Sequence, residues 1–178
     1  MNNTEPKFAT TPFWRFSLNF YRQAGVSEAC IALQDQCGVD VNLLLFLFWL
    51  ADGGRLLSPA EVRRLDDAVR PWRELTIIPI RDVRRKLKGA PTPVDPARQE
   101  ALRDKVKAIE LEAEELQQQA LYGFAKSGSL GTPAEPPAAA RGNVAAYAQV
   151  MGVSFPDQAA TLLVNAFDGI AHGGFAAP

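Results

Sequence analysis

The most apolar stretch of the chain covers residues 41–51 and reads VNLLLFLFWLA. It is too short to cross a bilayer, which takes about 20 apolar residues. Leu and Phe dominate it and β-branched residues are scarce, so the composition disfavours a strand. Asp40 before it is a typical helix N-cap and Gly53 after it a typical helix end. Because every face is apolar, the pattern predicts a helix over about 41–52 at the centre of a bundle.

Shorter helical patterns flank this central helix. Thr11 opens one at FWRFSLNFYRQ and Ser27 caps a second. Ser58 and Glu61 form a capping box at the start of a third. The connections are short, which favours antiparallel neighbours. We therefore expect an all-α fold, a compact helical array around the central helix.

The longest periodic segment runs from about 96 to 126. Its apolar residues recur at spacings of mainly four and three, a narrow seam typical of coiled coils. The seam consists of Leu102, Val106, Ile109, Ala113, Leu116, Ala120 and Phe124. Such a charged helix needs a partner along its length, which is either another helix of this chain or the same helix of a second copy. A homodimer through residues 102–124 is thus one of two alternatives.

The last part of the chain has a different composition. Residues 127–142, SGSLGTPAEPPAAARG, are rich in Pro, Ala and Gly and have little to bury, which is typical of a linker. Residues 143–178 predict short amphipathic helices and a flexible end. We expect one all-helical domain over residues 1–126, followed by a linker and a tail that folding does not need. At 178 residues and 47% hydrophobic, the chain has the size and composition of a soluble globular protein.

The first half also resembles a known family. The run FWRFSLNFYRQAGVSEACIALQDQCGVDVNLLLFLFWLA, residues 13–51, is similar to the N-terminal signature of a family of short bacterial proteins of unassigned function, catalogued as domain of unknown function twenty-three ninety. The likeness extends loosely through PWRELTIIPIRDVRRKLK and does not cover the chain from Gly128 on. It implies no activity for any residue.

Catalytic and metal sites find little support in the residue pattern. His172 is the sole histidine, and its glycine-rich tail would not hold a general base in place. A zinc site would have to combine it with Cys30, Cys37 and a distant carboxylate. With neither a CxxC pair nor a secretory signal, reduced thiols in a cytoplasmic protein are expected. We predict no catalytic residue, no metal and no cofactor, and we rank an enzyme below a binding protein.

The charge pattern gives the main functional hypothesis. Residues 55–88 carry ten Arg and Lys against five Asp and Glu, although the formal net charge of the chain is −1. Ile80, Val83 and Leu87 are expected to hold a helix in this segment against the core. Four cations at i, i+3, i+4 and i+7 form a basic stripe on the same helix: Arg81, Arg84, Arg85 and Lys88.

This basic stripe predicts a non-catalytic binding or adaptor protein whose partner is a protein with an acidic surface. The chain's own acidic stretch from Glu110 to Glu115 would serve equally well as the counterpart. Nucleic acid is the weaker alternative, because no stacking aromatic or known nucleic-acid fold accompanies the stripe. A solvated charged face without a partner is the alternative that carries no function.

A second hypothesis makes the protein a small-molecule or lipid-binding helical domain. Aromatic residues are dense in residues 13–21 and again in 46–49, where they would either fill a bundle core or line an apolar pocket. The polar run LQDQCGVDVN turns the corner before the central helix, and its side chains need hydrogen-bond partners. The residues of this pocket or polar corner are Trp14, Tyr21, Gln34, Asp35, Asn42 and Trp49. Core filling is the stronger interpretation of the aromatics unless a cavity is observed.

Overall fold

The computed structural model describes residues 11–127 and 130–170. The helices in chain order are α1 (Pro12–Tyr21), α2 (Val26–Cys37), α3 (Val41–Asp52), α4 (Pro59–Trp72), α5 (Ile78–Leu87), α6 (Pro96–Ser127), α7 (Pro136–Met151) and α8 (Asp157–Asp168). Two short strands, β1 (Arg55–Leu56) and β2 (Thr132–Pro133), pair antiparallel. The predicted all-α class is therefore confirmed. Within the described ranges, no helix combines the length and the apolar character that a bilayer span requires.

Helix α3 is the central element. The carboxylate of Asp40 caps it by accepting the backbone N–H groups of Asn42 at 3.0 Å and Leu43 at 3.3 Å. Every residue from Asn42 to Asp52 is buried. Helices α1, α6 and α7 pack around it. The all-round apolarity of the segment thus corresponds to a helix that is enclosed by the others.

Aromatic rings fill the space between α3 and its neighbours. The ring of Phe13 in α1 lies 5.1 Å from that of Phe46 and 5.4 Å from that of Trp49, measured between centroids. On the other side, Phe48 contacts Phe167 of α8 at 5.4 Å. Aromatic pairs at these separations add packing energy beyond the area that they bury. Trp49 is fully buried, so it belongs to this core and not to a pocket.

The chain after α6 contributes to the same core. Helix α7 begins at Pro136, inside the segment whose composition predicts a linker, and packs against α3 and α4. Ala139, Ala140 and Tyr147 are all buried. Small alanine side chains allow two helices to approach closely. The Ala-rich composition that predicts a linker therefore also suits a closely packed helix. From this packing we expect that folding needs the tail, although the composition predicts the opposite.

A fully buried asparagine ties α7 to the centre of the molecule. The side chain of Asn143 donates to the backbone carbonyls of Leu47 at 3.1 Å and Arg55 at 3.0 Å, and it accepts the backbone N–H of Leu57 at 2.8 Å. All three partners are backbone groups, one in the middle of α3 and two in or directly after β1. Because buried backbone groups need partners, Asn143 has a structural role that only the folded chain reveals.

Helices α4 and α5 are joined by a π-helical turn, Arg73–Ile77. The N–H of Ile78 bonds to the carbonyl of Arg73, five residues back, and Pro79 next to it has no N–H to offer. The wider turn carries the helix past this proline. The Arg73 side chain points inward to Asp40 at 2.7 Å and Asp66 at 2.9 Å, which anchors the turn to the cap of α3.

Helices α5 and α6 pack against each other as an antiparallel hairpin. Gln99 donates to the carbonyls of Leu87 at 3.0 Å and Ala90 at 3.1 Å and closes the turn between them. Ile80 and Leu87 are half-buried. Val83, however, is 48% exposed, so the prediction that it holds α5 to the core was wrong. The reason is that the side of α6 that faces α5 is acidic, and arginines of α5 turn towards it.

Candidate functional site

A cleft of about 890 Å³ lies between the α5–α6 hairpin and the helices α1 to α3. Small-molecule sites in proteins usually have volumes of roughly 300–1,000 Å³. One wall of the cleft comes from α1, α2 and the first turns of α3. The opposite wall comes from α5 and α6. The cleft is therefore a junction of five helices and has the size of a ligand site.

The wall on the side of α1 to α3 is largely apolar. Trp14 and Tyr21, seven residues apart on one face of α1, line it together with Ile31 of α2 and Leu45 of α3. The buried face of the same helix packs into the core through its phenylalanines. Helix α1 thus carries aromatic residues on two faces, one for the core and one for the cleft. Leu111 adds an apolar side chain from α6.

Three buried polar residues lie where the two walls meet. The hydroxyl of Ser17 donates to Oε1 of Gln118 at 3.0 Å, and Nε2 of Gln118 donates to Oδ1 of Asn42 at 2.9 Å. All three residues line the cleft. The predicted polar corner therefore bonds in part across to α6. These groups pair with one another and form a fixed polar floor.

Two arginines of the basic stripe pair with glutamates of α6. Arg81 bonds to Glu110 at 2.8 Å and to Glu114 at 2.6 Å, and Arg84 also bonds to Glu110. Glu110 is buried between the two guanidinium groups. The acidic stretch of the chain itself is thus the counterpart of half of the stripe.

Burial and these charges shift the pKa values of the two glutamates in opposite directions. Burial alone would raise the pKa of Glu110, but the hydrogen bonds and charges of Arg84 and Arg81 hold it below its ordinary value. For Glu114, burial dominates and raises the pKa, with the negative charge of Glu110 adding to the effect against the opposing charge of Arg81. Of the two glutamates, Glu110 is therefore the one whose ionised form the cluster favours.

Other cations of the cleft lie towards its outer end. Arg85 pairs at 2.7 Å with Asp35, and both side chains are about half exposed. Among the described residues, no ion pair involves Lys88 or Lys107. Arg103 bonds to an exposed glutamate through Nη1, while its Nε is buried and has no hydrogen-bond partner in the described part of the chain. The outer end is thus the cationic mouth of the cleft, defined here as Lys88, Arg103 and Lys107.

Most residues of the two sequence hypotheses meet in this one cleft. The lining includes Trp14, Tyr21, Gln34, Asn42, Arg81, Arg84, Arg85 and Lys88. Asp35 lies outside the lining, paired with Arg85, and Trp49 lies in the core. Sequence reasoning offered the acidic stretch of α6 as a counterpart of the basic stripe, but it did not place α6 in the wall of a pocket. A signal was available, since Arg103, Lys107, Glu110, Glu114 and Gln118 follow one another at spacings of three and four on one helix face.

A second, smaller groove of about 430 Å³ lies between α7 and α8. Arg141 is its charged lining residue and pairs with Asp168 at 3.0 Å. Thr161 and Asn165 are its uncharged polar residues, and apolar residues such as Val144 and Phe155 form the remainder. The cleft beside the hairpin is about twice as large and has more polar and charged groups to orient a ligand, so it is the stronger candidate site.

The described residues offer little for metal or nucleophilic chemistry. They contain no group of three His, Cys, Asp or Glu side chains placed to hold a metal ion. Cys30 and Cys37 are free thiols, and burial raises the pKa of Cys30 to about 12. A thiol with such a pKa is a poor nucleophile at neutral pH. His172 lies outside the described residues.

Residues 12–121 match a family described as "Protein of unknown function (DUF2390)". The chain belongs to the DUF2390 family. This confirms the resemblance noted in the sequence. Every lining residue of the cleft falls within the matched range, whereas α7 and α8 lie beyond it. No curated protein and no solved structure matches the chain.

Proposed function

We propose that the protein binds a small amphipathic anion in the cleft beside the α5–α6 hairpin. The observation that carries this proposal is the lining of the cleft, which has an apolar wall on α1 to α3 and three cations at its mouth, two of which, Lys88 and Lys107, have no ion pair among the described residues. A ligand with an apolar body and one anionic head group matches both features. The role is binding, and no step of catalysis is included.

The head group is assigned to the cationic mouth because two of its three cations, Lys88 and Lys107, have no ion pair among the described residues. Arg81 and Arg84 are held by Glu110 and by Glu114. The mouth has three cations against two acids, Asp104 of the lining and the Glu100 that pairs with Arg103, a local charge of +1 (three minus two). The Nε–H of Arg103 is itself buried, so the head group is assigned to the ammonium groups of Lys88 and Lys107 at the surface of the cleft.

The apolar body of the ligand is assigned to the opposite wall. Leu18, Ile31 and Leu111 line the cleft and remain substantially exposed. A hydrocarbon chain or ring that covered them would remove apolar surface from water, which stabilises a complex by roughly 25 cal/mol per Å². Trp14 and Tyr21 would provide broad, rigid contacts to the same part of the ligand.

The adaptor hypothesis has less support than the cleft. Binding of an acidic protein through the basic stripe would need its arginines to face outward, yet Arg81 and Arg84 face Glu110 and Glu114 of the same chain. Binding of nucleic acid through the stripe is disfavoured for the same reason. The two free thiols support a reducing compartment, so we propose that the protein acts in the cytoplasm.

A titration series with matched head groups tests this proposal. Dodecanoate, dodecyl phosphate, dodecanol and dodecylammonium share one chain and differ in charge, and their affinities can be compared by calorimetry below their micelle concentrations. We expect both anions to bind about tenfold or more tightly than the alcohol, since charged hydrogen bonds contribute about 1.5–3 kcal/mol, and the ammonium to bind weakest. Lys88→Gln combined with Lys107→Gln should remove most of the advantage of the anions and leave dodecanol binding unchanged.

A pair of tryptophan substitutions locates the binding. Ala108 lines the cleft on α6, whereas Ala101 is exposed on the same helix outside the lining. Ala108→Trp should fill the cleft and abolish binding, and Ala101→Trp should bind as the wild type does. Equal affinity for the anions and the ammonium, or full binding by Ala108→Trp, would contradict the proposal.

A further inference from the structure

One face of α6 is apolar and exposed on the side away from the cleft. Leu102, Ile109 and Leu116 follow one another at intervals of seven residues and are 52%, 53% and 40% exposed. None of them lines the cleft. Ala113, from the same predicted seam, is buried beside Trp72, whose indole N–H bonds to the Ala113 carbonyl at 2.9 Å. Within the described residues, the chain therefore covers one edge of the seam and leaves the other edge exposed.

We infer that this exposed face pairs with the same face of a second copy, with the two α6 helices antiparallel and Ile109 on the two-fold axis. Leu102 and Leu116 each lie seven residues from Ile109. In this register Leu102 of either copy packs against Leu116 of the other, and Ile109 packs against itself. A two-fold interface of this kind is self-complementary. Three exposed apolar positions on each chain are then covered together.

The charges beside the face determine the direction of pairing. Lys105 and Glu112 are exposed and flank the apolar positions on the same side of the helix, seven residues apart. In the described part of the chain neither takes part in an ion pair. Antiparallel pairing about Ile109 brings Lys105 of each copy to Glu112 of the other, so the contact forms twice. Flanking charges of this kind set partner and orientation in coiled coils.

The pairing is independent of the proposed ligand site. The cleft lies on the opposite side of α6, so a dimer would leave the cationic mouth open. A failure of either inference therefore leaves the other standing. We assign a second copy as the partner because α6 is complementary to itself in this antiparallel register.

A charge-reversal cycle, measured by sedimentation equilibrium, tests both the dimer and its direction. Lys105→Glu and Glu112→Lys should each weaken dimerisation about tenfold, since each removes two ion pairs and creates two like-charge contacts. The double variant should return to within about threefold of the wild type. Within one chain these residues lie too far apart for their side chains to pair, so recovery must come from contacts between copies.

Two further variants separate the face from general effects on folding. Ile109→Asp should make the protein monomeric, while Leu75→Asp, at a leucine exposed elsewhere, should dimerise like the wild type. Both should keep the helical circular dichroism of the parent. A wild-type protein that is monomeric up to about 1 mM would overturn the inference. A double variant as weak as the single variants would overturn the antiparallel register.

Discussion

Helix α3 and the α5–α6 hairpin are held in the fold by different kinds of side-chain contact. α3 is enclosed by apolar contacts on every side, with Phe46 and Trp49 at its centre. The hairpin is joined by charges, and Arg81 and Arg84 face Glu110 across it, while apolar residues such as Ile109 face outward. The comparison separates two tasks, with one helix buried along its length in the core and the other two presenting surfaces that a ligand or a second chain can use.

Apolar contacts and ion pairs differ in how strongly they depend on orientation and in how much free energy desolvation costs. Burial of apolar surface is roughly proportional to area and needs no particular orientation, so α3 stabilises the fold through many contacts. A partly buried ion pair requires a fixed geometry, and desolvation offsets much of its attraction. The hairpin is therefore expected to contribute less to stability than α3 and to tolerate changes that would disrupt the core.

Removal of the chain beyond Ser127 should have the largest effect. It would delete α7, whose Ala139, Ala140 and Asn143 are buried against α3 and β1. We expect the shortened protein to lose cooperative unfolding in urea and the near-ultraviolet signal of packed aromatics. A shortened chain that unfolded cooperatively at the midpoint of the full chain would show that the core ends with α6.

Phe46→Ala should cost about 3–5 kcal/mol of unfolding free energy, because it leaves a cavity among packed rings. The matched control is Leu75→Ala in the π-helical turn, at a side chain that is 76% exposed, and it should change stability by less than about 0.5 kcal/mol. Urea denaturation of the two variants beside the wild type provides the measurement. Similar losses at both positions would contradict the view that burial around α3 supplies the stability.

Glu110→Gln should have the smallest effect, and its size should depend on pH. The folded pKa of Glu110 lies below its unfolded value because Arg84 and Arg81 outweigh burial. Its ionised form therefore contributes stability that is present above the unfolded pKa, about 4.3, and is lost as the pH falls through the lower folded pKa. Unfolding free energies of wild type and variant should differ at neutral pH and converge towards about pH 3. Curves that stayed parallel would mean that Glu110 titrates normally.

The sequence predicts the central part of the fold well. The apolar run at α3 and the Asp40 cap are local signals, and the long periodic segment matches α6. The sequence does not determine which face of α5 points inward. Val83 and Arg81 each belong to a stripe at helical spacing, and either stripe could face inward. The choice depends on Glu110, 29 residues away in the chain.

The cleft and the packing of α7 could not be predicted from the sequence, for the same reason. Asn143 is held by the backbone of Leu47 and Arg55, about ninety residues earlier, and no local pattern marks such contacts. Trp14 and Lys88 lie on separate helices, and they line one cleft only because the hairpin folds back beside α1. Sequence reasoning found these residues as two hypotheses, and the tertiary fold joins them.

The central claim is that an amphipathic anion binds with its head at the mouth and its chain along the apolar wall. The most direct test is an NMR titration with dodecanoate that carries a nitroxide at the far end of its chain. We predict loss of amide signals around Trp14, Tyr21 and Leu45, with signals of the α7–α8 groove at Ala148 and Val164 intact. Loss of signal in that groove, or no selective loss anywhere, would contradict the account.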